Sequence, residues 1–278
     1  MLPDARTLRV VQRRRPGRWL ATILVLALLA LVIRAFALGQ IEWSVVGEYM
    51  TAPVILAGLV NTLVMTVCAM ALGLALGVLA AVMSMSPNPV MVGVAKFYIW
   101  FFRGTPLLLQ LLLWFNLALI FPRLGIPGLF EARTVDVITP FVATWLGLGI
   151  NQGAYTAEVV RSGILSVDRG QAEAAQAVGM TRIQAMFRIV LPQALRVIVP
   201  PVGNEVVSMV KLTSVASVIQ FSEILRNAQT IYYANARVIE LLIVAAAWYL
   251  AAVTVLSLFQ AMLERRLARG VSTAGRPA

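Results

Sequence analysis

The chain has 278 residues, of which 60% are hydrophobic and only 13% charged, more apolar surface than one soluble core of that size can hide, so a bilayer is the second solvent. The formal net charge of +11 does not indicate nucleic acid, because the arginines fall in loops that face one membrane surface and do not interleave with aromatic residues. With no histidine the chain has no His-based triad, His metal site or His proton relay, and Cys68, a single cysteine inside an apolar run, is a small packing residue with no disulfide partner.

Crossing the hydrocarbon takes about 20 mostly apolar residues. Six stretches meet or approach that length, at 19–39, 53–83, 91–121, 137–160, 190–211 and 238–262. The run from Trp19 to Leu38 is too long for an ordinary signal peptide and no clean small-residue cleavage site follows it, so it reads as an uncleaved anchor helix. Arg6, Arg9, Arg13, Arg14, Arg15 and Arg18 before it place the N-terminus in the cytoplasm. The connection at 39–52 then lies outside, with Glu42 and Glu48 and no Lys or Arg. Asn61-Thr62 is a neutral polar pair near the outer end of the second span, and Asn88 between Pro87 and Pro89 marks the turn into the third. The 122–136 loop is mixed, Arg123 and Arg133 against Glu131 and Asp136. Arg161, Arg169, Arg182 and Arg188 lie inside, as do Arg265, Arg266 and Arg269, so both termini are expected in the cytoplasm.

Between the fourth and fifth spans stands QAEAAQAVGMTRIQAMFRIVLP, Gln171 to Pro192, a polar, Ala-rich segment that the bilayer does not require. Asp168 with Gln171 three positions on has the spacing of a capping box. Ala172, Glu173, Ala174, Ala175 and Ala177 make a thin helix of high propensity, and Gly179 supplies a stop where positive φ is tolerated. Such a helix enters a groove that Leu or Phe overfills, and Pro192 suits the first turn of the helix that follows. An interfacial helix on lipid headgroups is the bland reading, but the exposed face lacks the large apolar anchors that such helices bury.

Polar residues inside spans are candidates for a solute path and equally for helix packing: Arg103, Gln110, Asn116, Glu158, Asn204, Glu205 and Lys211, with Asn61. Broken helices point better, since freed backbone groups bind solutes. The third span holds Gly104-Thr105-Pro106, and the fifth holds Pro200-Pro201 followed by Gly203-Asn204-Glu205, where the helical ladder is expected to be interrupted, as a packing kink or as a solute-lining break. Glu205 has the charge to hold a solute amino group and Arg103 or Lys211 its carboxylate; each equally suits a structural ion pair. Trp43, Tyr49, Trp100, Trp114, Tyr232 and Tyr233 read as an interfacial belt sooner than as a solute cage.

The only lysines, Lys96 and Lys211, precede Phe97 and Leu212, so the chain has no nucleotide-binding P-loop. An ion-coupled secondary transporter or channel for small polar solutes accounts for the hydropathy but leaves the Gln171 to Pro192 segment without a role. A membrane enzyme fits less well, since no metal cluster or nucleophile with a base is apparent.

At this point the sequence resembles a known family. Glu173-Ala174-Ala175, Gly179, Ile189 and Leu191-Pro192 match the EAA motif of permease subunits of ATP-binding cassette importers. Arg103-Gly104-Thr105-Pro106-Leu107 with Gln110 resembles the RGTPLLxQ block of the polar amino acid uptake branch. Ala154-Tyr155-Thr156-Ala157-Glu158 with Arg161 and Gly163 resembles its AYxAExxRxGI block. Lys211, Thr213, Ser214, Ser217, Val218 and Ile219, with Glu223 and Leu225, resemble its KxTSLxSVI region, with Val215 in place of the usual Leu.

The resemblance covers about residues 51 to 267 and implies an all-α, polytopic membrane helix bundle of the type I importer fold, about six spans with a cytoplasmic coupling helix. It divides the chain into a basic arm (1–18), an additional transmembrane helix with its external loop (19–50), the permease domain (51–267) and a cytoplasmic tail (268–278). It also implies the bacterial inner membrane as location, cytoplasmic ATPase subunits that bind ATP and Mg while this chain holds no cofactor, and a second permease subunit, identical or paralogous. A periplasmic or surface solute-binding protein and an amino acid substrate complete the expected partners. Gln171, Glu173, Ala174, Ala175 and Gly179 are the coupling residues on this resemblance, and the spans contact lipid.

Overall fold

The structure is a computed structural model that describes residues 16–126 and 130–267. The arginines from Arg6 to Arg15, and Arg269 in the tail, lie outside the described residues. The chain divides into two compact units at Val45 and Val46.

In the first unit, α1 (Pro16–Leu38) is apolar on every face apart from Arg18, Thr22 and Arg34. At about 1.5 Å per residue it is long enough to cross a bilayer. A short helix, α2 (Trp43–Met50), runs across the division.

The second unit is built around α3 (Pro53–Ser84) and α7 (Pro140–Leu165), its most extensive helix pair. Glycines make that pairing close. A Cβ on Gly73 would stand 2.7 Å from Gln152 Cγ, one on Gly77 2.7 Å from Thr156 Cβ, and one on Gly149 2.6 Å from Leu72 Cδ2. Small residues let membrane helices approach until backbone packs on side chain, where lipid offers no hydrophobic drive to association.

The third apolar stretch is two helices, α4 (Pro89–Gly104) and α5 (Leu107–Phe115), bent by 102°. Asn88 caps α4 by accepting from the Val90 N–H at 2.9 Å. Pro106 cannot continue α4 and holds Thr105 in extended backbone, φ −107° and ψ 144°. Beyond α5 the 122–136 loop contains a hairpin that was not expected, β1 (Arg123–Ile126) antiparallel to β2 (Phe130–Arg133), followed by α6 (Thr134–Val137). Arg123 pairs with Glu131 across it at 3.1 Å and Arg133 with Asp136 at 2.8 Å, so the mixed charges of this loop are neighbours in space.

Among the described residues four helices are long and apolar enough to cross a membrane, or five if the bent pair counts as one span, where six spans were expected. The missing one is α7. Its 26 residues suffice in length, but α3, α4, α5 and α10 surround it, so it does not need apolar side chains against lipid and buries Thr144, Asn151, Gln152 and Thr156 instead.

The polar segment forms α8 (Arg169–Ala177). Asp168 caps it by accepting from the Gly170 N–H at 2.6 Å, but the reciprocal capping box falls thirteen residues later, between Thr181 and Gln184. Gly179 at φ +86° ends the helix: its N–H reaches Gln176 O at 2.9 Å and Met180 N–H reaches Ala175 O at 3.0 Å, the paired bonds of a Schellman stop.

The fifth span begins at Arg182 and not at 190. Helix α9 (Arg182–Ala185), a π turn (Met186–Val190) and α10 (Leu191–Leu212) form one helical run, and the wider π turn precedes Pro192, which has no N–H to donate. The expected interruption at Pro200-Pro201 is absent. Proline already holds a helical φ, and the neighbouring turns and packing carry α10 through.

A 3₁₀ segment (Thr213–Ile219) follows and leads to α11 (Ile224–Asn235), also unexpected, and α12 (Val238–Leu267). The fully buried Glu223 caps α11, accepting from Leu225 N at 2.8 Å, Arg226 N at 2.6 Å and the Tyr249 hydroxyl. Of the expected belt, Trp43, Trp100 and Tyr233 are exposed, whereas Trp114 packs against the core and the Tyr49 hydroxyl accepts from Asn235.

Candidate functional site

The bend between α4 and α5, the middle of α7 and the second half of α10 line an open cavity of about 560 Å³. Arg103 enters from the bend, Gln152 and Tyr155 from α7, and Asn204, Glu205 and Ser208 from α10. The Arg103 guanidinium carbon lies 5.2 Å from the centre of the Tyr155 ring, a cation held over an aromatic face. Glu205 accepts from the Thr156 hydroxyl at 2.9 Å, and among the described residues no Lys or Arg nitrogen comes within 4.0 Å of it. The cavity thus carries one cation and one carboxylate that do not neutralise each other.

Of the solute-path candidates, Arg103, Asn204 and Glu205 meet in this cavity. The others are placed elsewhere. Gln110 is buried at the bend, where its Nε2 donates to Thr105 Oγ1 at 2.8 Å and to Phe102 O at 3.1 Å while its Oε1 accepts from Asn151 at 3.2 Å. It fastens the two halves of the broken span. Asn61 donates to Ser222 O at 2.7 Å and ties α3 to the turn before α11. Asn116 donates to Leu112 O at 2.8 Å within its own helix. Glu158 is ion-paired with Arg161 at 2.8 Å. Lys211 is exposed on α10 and does not line the cavity. Tyr155, Thr156, Gln152 and Ser208 were not among the expected site residues, although Gln152 and Thr156, four apart on one face of α7, were the cue.

At the other candidate site Gln171, Glu173, Ala174 and Gly179 are exposed, while Ala175 is buried. The segment also differs from expectation in its apolar content. Val178, Ile183 and Phe187 are 76%, 71% and 65% exposed, so large apolar groups do flank the polar helix.

The family described as binding-protein-dependent transport system inner membrane component matches residues 73–269. The arginine transport system permease protein ArgU of Corynebacterium glutamicum is 40% identical over 260 residues, 92% of this chain and 82% of that protein. The L-cystine transport system permease protein TcyB of Bacillus subtilis is 37% identical over 240 residues, 86% of this chain and 97% of that one. A solved structure, the crystal structure of an amino acid ABC transporter with histidines, superposes with a TM-score of 0.71 at 36% identity, covering 82% of this chain and all of that one. With the helical bundle and the motif blocks in place, this chain belongs to the binding-protein-dependent transport system inner membrane components, as a permease subunit of the polar amino acid branch of ATP-binding cassette importers that carries no catalytic activity itself.

Proposed function

We propose that the cavity between α4, α7 and α10 is where this permease holds its solute, a polar amino acid taken by its two charges: Arg103 receives the carboxylate and Glu205 the cationic group. The observation that carries this reading is the pair of opposite charges facing one cavity with no ion pair between them. The half-buried Glu205 carboxylate, left partly desolvated without a counter-ion, is costly, and a solute supplying that counter-ion recovers the cost, while the exposed Arg103 guanidinium stays available to the solute carboxylate. The names of the relatives support the substrate class, arginine transport for one and L-cystine transport for another.

The same reading places residues 51–267 as the permease domain behind an additional helix at 19–50, with the arm 1–18 and the tail 268–278 both in the cytoplasm of a bacterial inner membrane. Taking α7 as the span that protein and not lipid surrounds brings the crossings to six and both termini to one side, in keeping with the arginines. A second permease subunit, identical or paralogous, faces this one, and ATP and Mg are bound by ATPase subunits that receive α8 through Gln171, Glu173, Ala174, Ala175 and Gly179. Gln110, Glu158, Asn61 and Lys211 serve the frame around the path and do not touch the solute.

The test is equilibrium binding of radiolabelled L-arginine, L-glutamine and L-cystine to the permease with its ATPase subunits in nanodiscs. Glu205→Gln is expected to weaken whichever probe binds best by about tenfold or more, the order of a lost charge-assisted contact. Unchanged binding of all three sets aside the direct-contact reading.

A further inference from the structure

Threonine in a membrane helix ordinarily returns its hydroxyl hydrogen to the carbonyl four residues back. Thr66, Thr144, Thr230 and Thr254 all do so here, at 2.8, 2.6, 3.0 and 2.7 Å. Thr156 departs from that pattern. Its Oγ1 donates across the bundle to Glu205 Oε2 at 2.9 Å, and the same oxygen accepts from Gln152 Nε2 at 3.1 Å. A hydroxyl has one hydrogen, so accepting from the amide commits that hydrogen to the carboxylate. The direction runs one way, from amide to hydroxyl to carboxylate.

Both donors are fixed from behind. Thr156 is fully buried and Gln152 is 6% exposed. Gly77 lies against Thr156 Cβ and Cγ2, and Gly73 against Gln152 Cβ and Cγ, so closely that a Cβ on either glycine would collide. Both side chains are thus packed tightly against the backbone of α3. The AYxAE block that Thr156 occupies leaves its position open, so the hydroxyl is a feature of this chain that the block does not demand.

We propose that Thr156 is the positioning residue that orients Glu205 in the cavity, with Gln152 setting the direction of its hydroxyl, and that this sets how tightly the permease holds the cationic group of its solute. The proposal rests on the reading of Glu205 as the group that meets the solute. Thr156 does not itself touch the solute; it acts by keeping one carboxylate oxygen anchored so that the other faces the cavity.

The experiment is a double-mutant cycle in the same nanodisc binding assay, with the best-binding of the three probes. Thr156→Val keeps the size and removes the hydroxyl; Thr156→Ser keeps the hydroxyl. The Val variant is expected to raise Kd about tenfold and the Ser variant to stay within about threefold of the parent. In the Glu205→Gln background, Thr156→Val is expected to add nothing further, because both changes remove one unit of interaction. A purely structural role would instead weaken binding equally in both backgrounds, and that additivity overturns the proposal. So does a Thr156→Val permease with unchanged Kd while Glu205→Gln is weakened, an outcome that leaves the reading of the cavity standing. If Thr156→Val does not assemble, Thr156→Ala takes its place in the cycle with the same two outcomes.

Discussion

Glu173→Lys and Gly179→Asp are each expected to leave the bundle inserted and ATP-driven uptake abolished, at or near the level of vesicles without ATP. The reason lies in what each residue touches. Gly179 has nothing within 4 Å of where a Cβ would stand, so aspartate meets no steric obstacle there. Its cost is the left-handed backbone at φ +86°, about 1 to 2 kcal/mol for an L side chain, which falls on a helix stop and not on the core. Glu173 is exposed and makes no ion pair among the described residues. A change confined to the surface of α8 can therefore abolish uptake only by acting on something outside this chain. On the reading proposed above, that something is the ATPase subunit that receives α8. The run from Arg182 through the π turn into α10 connects that helix continuously to Asn204 and Glu205. Three measurements decide: protease or cysteine accessibility for insertion, co-purification of the ATPase subunit, and uptake of labelled amino acid into ATP-loaded vesicles. Normal uptake by either variant removes α8 from the coupling path.

Much of this architecture is legible in the sequence because hydropathy and proline are strong constraints in a membrane. Pro53, Pro89 and Pro140 open three of the long helices, and Thr105-Pro106 makes the bend. Legibility fails where tertiary surroundings replace lipid. Pro200-Pro201 looks like a break because the support that carries α10 through comes from elements distant in sequence, and α7, read as a span over 137–160, carries the polar residues it does because protein surrounds it. The hairpin strands have four residues each and α11 has twelve, too short to stand out beside the long apolar runs.

The site divides in the same way. Polarity inside a span flags Arg103 and Glu205, which the fold brings to one cavity, yet the same rule flags Gln110, which the structure uses to fasten the bend. An amide is as good a staple as a ligand, and only its partners tell which. Thr156 is not singled out as a site residue because a threonine in a helix normally bonds its own backbone, and its departure from that habit depends on Glu205, 49 residues away.

Gly77→Leu is expected to prevent the permease from accumulating as a folded complex, and Gly77→Ala to lower its melting temperature and weaken solute binding together. A Cβ at Gly77 would stand 2.7 Å from Thr156 Cβ, 2.8 Å from its Cγ2 and 3.1 Å from the backbone nitrogen of Ala157. Neither a fixed Cβ nor a helix backbone can swing aside, so α3 must move away from α7. Overpacking of this kind costs about 1 to 3 kcal/mol for a few added carbons, and a leucine adds more than the site can take. The control is Gly93→Leu on α4, whose Cβ would have nothing within 4 Å and is expected to change neither property. The informative variant is Gly77→Ala, because the atom it pushes belongs to the residue that anchors Glu205. If packing and solute binding were separate matters, alanine would lower the melting temperature and leave Kd alone. A fall in both, reversed for binding alone when Glu205→Gln has already removed the contact, would show that the closeness of α3 and α7 is what holds the cavity carboxylate in place.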